Sequence, residues 1–289
     1  MTTELTPEDR TDRSDNPYDL LASLDGDDRW AFGTGFADPL AGLDHTVPAG
    51  LDHAAVARYC LGLGDDALIL SHRLQEWLTR LPELEEETAV ANIALDLLGQ
   101  ARLLLTRAGA ILGRDEDDLA FRRTAEEFRN VRLVEPADTD FAALMARLLV
   151  FASWRLALFQ DLAGGPDPGL AAIAAKGAVE LTYHREHAAS WVVRLGDGTP
   201  LSHQRMQAGL DAVWPFVDEL FASDPDAVGA ADRQWVDAAL DAVFSAATLR
   251  RPTTPPLGEQ PPRTAHTDAL ADVLAELQSV AHQLPGATW

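Results

Sequence analysis

The chain has 289 residues, 47% of them apolar, and a formal net charge of −23 from 46 acidic and 23 basic side chains. That length fills one large domain or two ordinary ones. The charge argues against a nucleic-acid binder, whose grip on phosphate comes from Lys and Arg, and against this chain alone holding a polyphosphate cofactor; it favours basic protein partners.

Residues 1–50 carry 11 acids and three Arg, with scattered Gly and Pro and no sustained apolar period. This composition predicts a disordered or loosely attached extension, a solvated tail rather than one docked onto the body or a partner through Trp30, Phe32 and Phe36. No basic segment followed by an apolar run opens the chain, so no signal peptide is predicted. Cys60 is the single cysteine, which leaves no internal disulfide and fits a reducing, cytoplasmic setting. The apolar run "LMARLLVFASW" is too short and interrupted for a bilayer span, so no membrane association is predicted.

From Leu51 the pattern is helical. "AAVARYCLGLGDDALILSHRLQEWLTRL" predicts one or two helices broken near Gly62 and Gly64, with Leu68, Leu70, Leu74, Trp77, Leu78 and Leu81 spaced as a buried stripe. Pro82 and the acids Glu83 to Glu87 open a second helix, "ETAVANIALDLLGQARLLLTRAGAIL", apolar enough that most of its circumference should be buried. "RDEDDLAFRRTAEEFRNV" reads as a shorter amphipathic piece of a crossover. "DFAALMARLLVFASWRLALFQDLAGG" is a third long helix stopped by its Gly pair. "DPGLAAIAAKGAVELTYHREHAASWVVRLGDGT" begins with Asp and Pro and ends at Gly196 and Gly198. Further helices are expected at 202–222, 231–249 and 266–283, the last two joined by the Pro-rich "RRPTTPPLGEQPPR". No stretch alternates as a strand does. The predicted fold is all-α: a ferritin-like four-helix bundle over residues 51–289 with extra C-terminal helices.

Such bundles build di-metal centres from a Glu on each of two helices and Glu-x-x-His on each of the others. Here the first helix offers Glu76, with His72 one turn earlier, and the second offers Asp96, followed three residues on by Gly99. The third has no carboxylate before Asp161, and Trp154 and Arg155 fill its middle. The fourth offers Glu180, with Tyr183 where a His is wanted and His184 one residue late. This donor set is too small for two irons, so Glu76, Asp96, Glu180 and His184 are expected to form a buried polar cluster satisfied by one another and by Arg or Tyr partners. The alternative is a single metal ion on Glu180, His184 and His187, which share one helical face, with a fourth ligand from His72 or Glu76.

The blocks "GLGDDALILSHRLQEW", "ANIALDLLGQARLLL", "LAAIAAKGAVELTYHREHAASWVVRLGDGT" and the terminal "LPGATW" resemble the C subunits of bacterial phenylacetyl-CoA 1,2-epoxidase, in order over residues 55–289. The acidic extension departs from the short N-terminus usual there. The resemblance implies a structural subunit, inactive alone, that pairs with and stabilises a catalytic A subunit. That A subunit holds the di-iron centre and binds the CoA thioester. It further implies a small bridging B subunit and a reductase bearing FAD and an iron–sulfur cluster that takes electrons from NADPH. The complex inserts one atom of dioxygen into the aromatic ring to give a 1,2-epoxide, and the other becomes water. On this reading the chain holds no cofactor and no catalytic residue, and Glu76, Asp96, Glu180 and His184 are vestigial ligand positions. Trp77, Trp154 and Trp191 are candidate interface anchors.

Overall fold

The protein is described from a computed structural model, in which the structure describes Gly42, residues 46–257, Arg263 and residues 265–285. The chain separates between Gly42 and Leu43 into two units, and the helices belong to the second, Leu43–Trp289. The expectations for Trp30, Phe32 and Phe36, the end of the Pro-rich link and the terminal "GATW" lie outside the described residues.

The helices are α1 (His53–Gln75), α2 (Leu84–Leu112), α3 (Glu116–Phe121), α4 (Phe141–Leu162), α5 (Pro168–Gly196), α6 (Pro200–Val213), α7 (Arg233–Ala246), α8 (Ala269–Leu277) and α9 (Ser279–Gln283). No strand occurs among the described residues. α1 packs along α2 and α4 along α5, and α2 also faces α5. Each pair is joined by a short turn and is therefore antiparallel, while residues 113–140 make the long crossover between pairs. This is the all-α, ferritin-like bundle expected. α6 and α7 cover α4.

Local chemistry sets the helix ends. The side chain of Asp52 accepts from the N–H groups of Ala54 and Ala55, Asp140 from Ala143, and Asp167 from Gly169 and Leu170, each satisfying donors that a first turn leaves open. Pro168 opens α5 where its missing N–H costs nothing. Asp167 also receives the buried Arg107 of α2 in an ion pair, which ties the start of α5 to its neighbour.

Four expectations change. The glycines at 62 and 64 do not break α1, which runs through both. They are small because neighbours approach closely: a Cβ on Gly64 would stand 2.9 Å from Leu105 Cδ2, and one on Gly62 3.0 Å from Arg263 Nη1. The helix expected at 202–222 ends at Val213 and continues as 3₁₀ turns around Pro215. α2 and α4 are both long and apolar enough, by length and composition, to cross a membrane, contrary to the reading of "LMARLLVFASW". For α4 the apolarity is explained by burial, since nearly its whole surface lies in the core. α2 was expected to be mostly buried as well, yet it leaves Leu84 and Leu95 exposed.

Candidate functional site

The centre of the bundle is polar. α1 contributes Asp65 and Asp66, both wholly buried. Arg123 embraces Asp65 with two nitrogens, Nη1 at 3.0 Å from Oδ2, and the Arg129 N–H donates to the same carboxylate at 2.9 Å. Burial pushes the Asp65 carboxyl above its ordinary range, and the Arg123 charge and hydrogen bonds oppose that push. Asp66 accepts from the Val131 N–H at 2.7 Å and from Arg263 Nη1 at 3.1 Å.

Arg155, in the middle of α4, has no exposed surface. Its Nε donates to Gln100 Oε1 and its Nη2 to the Leu63 carbonyl, both at 3.0 Å, and its Nη1 lies 3.8 Å from Asp66 Oδ2. The rings of Phe159 and Phe151 stand 4.5 and 5.5 Å from its guanidinium carbon, a cation–π arrangement that suits a desolvated guanidinium. Burial pulls its pKa down to about 10, so the charge persists at neutral pH. Gln100 of α2 passes the chain on: its Nε2 donates to Glu180 Oε2 at 3.0 Å, and Lys176 holds the other oxygen of Glu180. Asp66, Arg155, Gln100, Glu180 and Lys176 thus form one polar chain that touches all four bundle helices. Gly177, beside it, is required by space, because a Cβ there would meet Phe159 Cε2 at 2.6 Å.

The residues singled out from sequence do not gather as one cluster. Of Glu76, Asp96, Glu180 and His184, only Glu180 joins the central chain. Glu76 follows the end of α1 and pairs with Arg73 Nη1 at 2.6 Å. Asp96 and His184 pair with each other at 3.0 Å, with the Asp96 side chain 42% exposed. The expectation of a shared buried cluster is therefore corrected: Asp96 and His184 satisfy one another, but Glu76 and Glu180 are captured elsewhere, by Arg73 and by Gln100 with Lys176. Asp65, Asp66 and Gln100 were missed, and Arg155 was seen in the middle of its helix without its partners. The available signal was a charged residue in the middle of an otherwise apolar helix, which has to be paired when buried.

A groove of about 490 Å³ runs between α2 and α5, lined by Glu86, Asp96, Tyr183, His184, His187 and Trp191 among others. Trp191 Nε1 donates to Glu86 Oε2 at 2.7 Å, and His187 Nε2 stands 3.4 Å from the same oxygen, too poorly aligned to be a hydrogen bond. Burial holds the His187 imidazole below its ordinary pKa, against the pull of Glu86. Of the three candidate anchors, only Trp191 reaches this surface. Trp77 and Trp154 are buried, Trp77 under Arg80 and Trp154 edge-on to Phe151, so both are core residues.

Neither metal arrangement fits these side chains. A di-iron centre needs several carboxylates and an imidazole on each metal; the bundle centre offers Asp66 and Glu180 separated by Gln100 and a permanent guanidinium, with His184 turned onto Asp96. Glu180 is held by Gln100 and Lys176 and His184 by Asp96, which leaves His187 beside Glu86 as the only member of that triad without a hydrogen-bonded partner at its Nε2. Cys60 is also inert, since burial pushes its thiol up to about 12.

The class defined by this fold and centre is a ferritin-like helical bundle whose axis is occupied by a charge-paired polar chain. The family described as "Phenylacetic acid catabolic protein" matches residues 44–289. Over 242 residues the chain is 42% identical to the C subunit of 1,2-phenylacetyl-CoA epoxidase from Escherichia coli (strain K12), covering 80% of this chain and 98% of that protein. The chain belongs to the phenylacetic acid catabolic protein family.

Proposed function

We propose that this chain is the structural, non-catalytic subunit of a phenylacetyl-CoA epoxidase, cytoplasmic, and paired with a catalytic subunit that holds the di-iron centre and the CoA thioester. The observation that carries the reading is Arg155. A guanidinium at the bundle axis, hydrogen-bonded to two helices and stacked on two Phe rings, joins Arg263 on Asp66 and Lys176 on Glu180 in supplying the positive charge that these carboxylates would otherwise require from a metal. A bundle completed in this way has no position left for oxygen chemistry. Its remaining task is to present surface. The similarity to the C subunit of an epoxidase supports the assignment of that task to an oxygenase complex.

The pairing surface in this reading is the α2–α5 face. Tyr183 of α5, which lines the groove, is 67% exposed, and Leu95 of α2 and Val179 of α5 are 57% and 61% exposed on the same two helices. Exposed apolar side chains on adjacent helices are the material of an obligate interface. The net charge of −23 makes the chain a poor holder of a CoA phosphate group. FAD, the iron–sulfur cluster and NADPH belong to a reductase component, and a small B subunit bridges the pairs.

The test is co-expression with the iron-binding homologue from the same organism. The wild-type chain is expected to co-purify with it in one stable complex and to show no oxygenase activity alone. Tyr183→Asp combined with Leu95→Asp is expected to abolish co-purification while leaving the far-UV circular dichroism unchanged. A wild-type chain that stays monomeric beside its homologue would refute the proposal.

A further inference from the structure

At the far end of α1 a second group of side chains converges, away from the bundle axis. His72 lies in the last turn of α1, Glu76 follows that helix, and Glu276 is on α8, which packs against α1. One donor atom from each lies within 4.8 Å of the other two, and His72 Nε2 stands 3.9 Å from Glu276 Oε2. Among the described residues this is the one set of three His, Cys, Asp or Glu side chains with donors so close.

Two features make it more than a surface contact. His72 Nε2 is buried and has no hydrogen-bond partner, and a buried polar atom left unpaired calls for a missing partner. The Glu276 side chain is 71% exposed, so it has room to move. Arg73 occupies Glu76 Oε1 alone, and the second oxygen of that carboxylate is left over.

We propose that His72, Glu76 and Glu276 bind a divalent transition-metal ion of the Zn²⁺ type. One imidazole nitrogen and two carboxylate oxygens, with water in the fourth position, make a tetrahedral donor set that an oxygen-preferring Ca²⁺ or Mg²⁺ would not select. Bonds of about 2.0–2.2 Å put tetrahedral donors roughly 3.4 Å apart. The 3.9 Å between His72 Nε2 and Glu276 Oε2 exceeds this by about 0.5 Å, and the exposed Glu276 side chain has room to close it. Two carboxylates neutralise the dication, which suits a site beside the positive Arg73. The ion would clamp α8 to α1, joining elements that are far apart in the chain. The site is independent of the bundle axis and of the proposed pairing face.

Calorimetric titration of the full chain with ZnCl₂ tests this, with CaCl₂ as a second titrant. One Zn²⁺ per chain and no Ca²⁺ binding are expected. Glu276→Gln, which is exposed and leaves folding intact, is expected to weaken Zn²⁺ binding at least about tenfold, the loss that even an outer-shell partner produces. His72→Gln is expected to remove binding, and His53→Gln, at the exposed start of α1, to leave it unchanged. Zn²⁺ is further expected to slow amide exchange in residues 269–277 of the wild type and not of Glu276→Gln. No Zn²⁺ binding, or equal binding by wild type and Glu276→Gln, would overturn the proposal; the second result would assign the ion to histidines elsewhere.

Discussion

At the bundle centre Asp65 and Asp66 meet arginines out of reach of water, whereas in the α2–α5 groove Glu86 and Asp96 meet histidines beside solvent. A guanidinium keeps its charge across the physiological range, and an imidazole does not. The central pairing is therefore permanent, and any change to it is paid in full as a buried, uncompensated charge. The groove pairing is adjustable, lies among exposed apolar side chains, and has room for a partner. One region holds the subunit together, and the other is available for use.

Arg155→Met tests the contrast at its strongest. It leaves Asp66 with less neutralising charge and frees the Leu63 carbonyl and Gln100 Oε1, and the expected loss is about 3–5 kcal/mol in urea unfolding. Asp96→Asn, on the groove side, is expected to change stability by no more than about 1 kcal/mol. Equal effects would erase the distinction between the two regions. Gly177→Ala is next in size. The helix gains in propensity, but the new methyl collides with Phe159, and a net loss of about 1–2 kcal/mol is expected from overpacking less propensity.

Much of this plan was legible in the residues. The four bundle helices, the crossover and the start of α5 at Asp167 and Pro168 follow from apolar period and helix-start chemistry. The identity of the central chain does not, because helical spacing reports which face a residue occupies but not which residue on another helix meets it. Arg155 and Gln100 are 55 positions apart, and no local pattern joins them. Gly62 and Gly64 misled for a related reason: they resembled breaks, and only the packed neighbours Arg263 and Leu105 show that they are points of close approach. Glu76 was drawn to the axis by its register with His72, but α1 ends just before it.

The smallest expected effects are in pH dependence, where two histidines act in opposite directions. His187 in the groove has its pKa held below 6.5 mainly by burial. The unfolded chain then binds the extra proton first, so this residue makes stability rise with pH in the window just below 6.5 and adds no slope above it. His266 sits between acceptors, Nδ1 donating to Glu135 Oε1 at 2.7 Å and Nε2 to the Phe128 carbonyl at 3.0 Å, as a doubly protonated ring does. Burial lowers its pKa, but the hydrogen bond and charge of Glu135 outweigh that and raise it above 6.5. Its contribution is complete below 6.5 and is lost as pH rises through the raised value. Urea midpoints measured against pH are expected to lose their slope below 6.5 in His187→Gln and their slope above 6.5 in His266→Gln. The same slopes surviving in either variant would show that other groups set them.

The most direct measurement is anaerobic reconstitution of the isolated chain with ⁵⁷Fe(II), followed by Mössbauer spectroscopy after exposure to oxygen. With Arg155 at the axis, no coupled pair of irons is expected, and any iron taken up should give the signal of isolated ions. A spin-coupled di-iron signal at two irons per chain, lost in Glu180→Ala, would contradict the account.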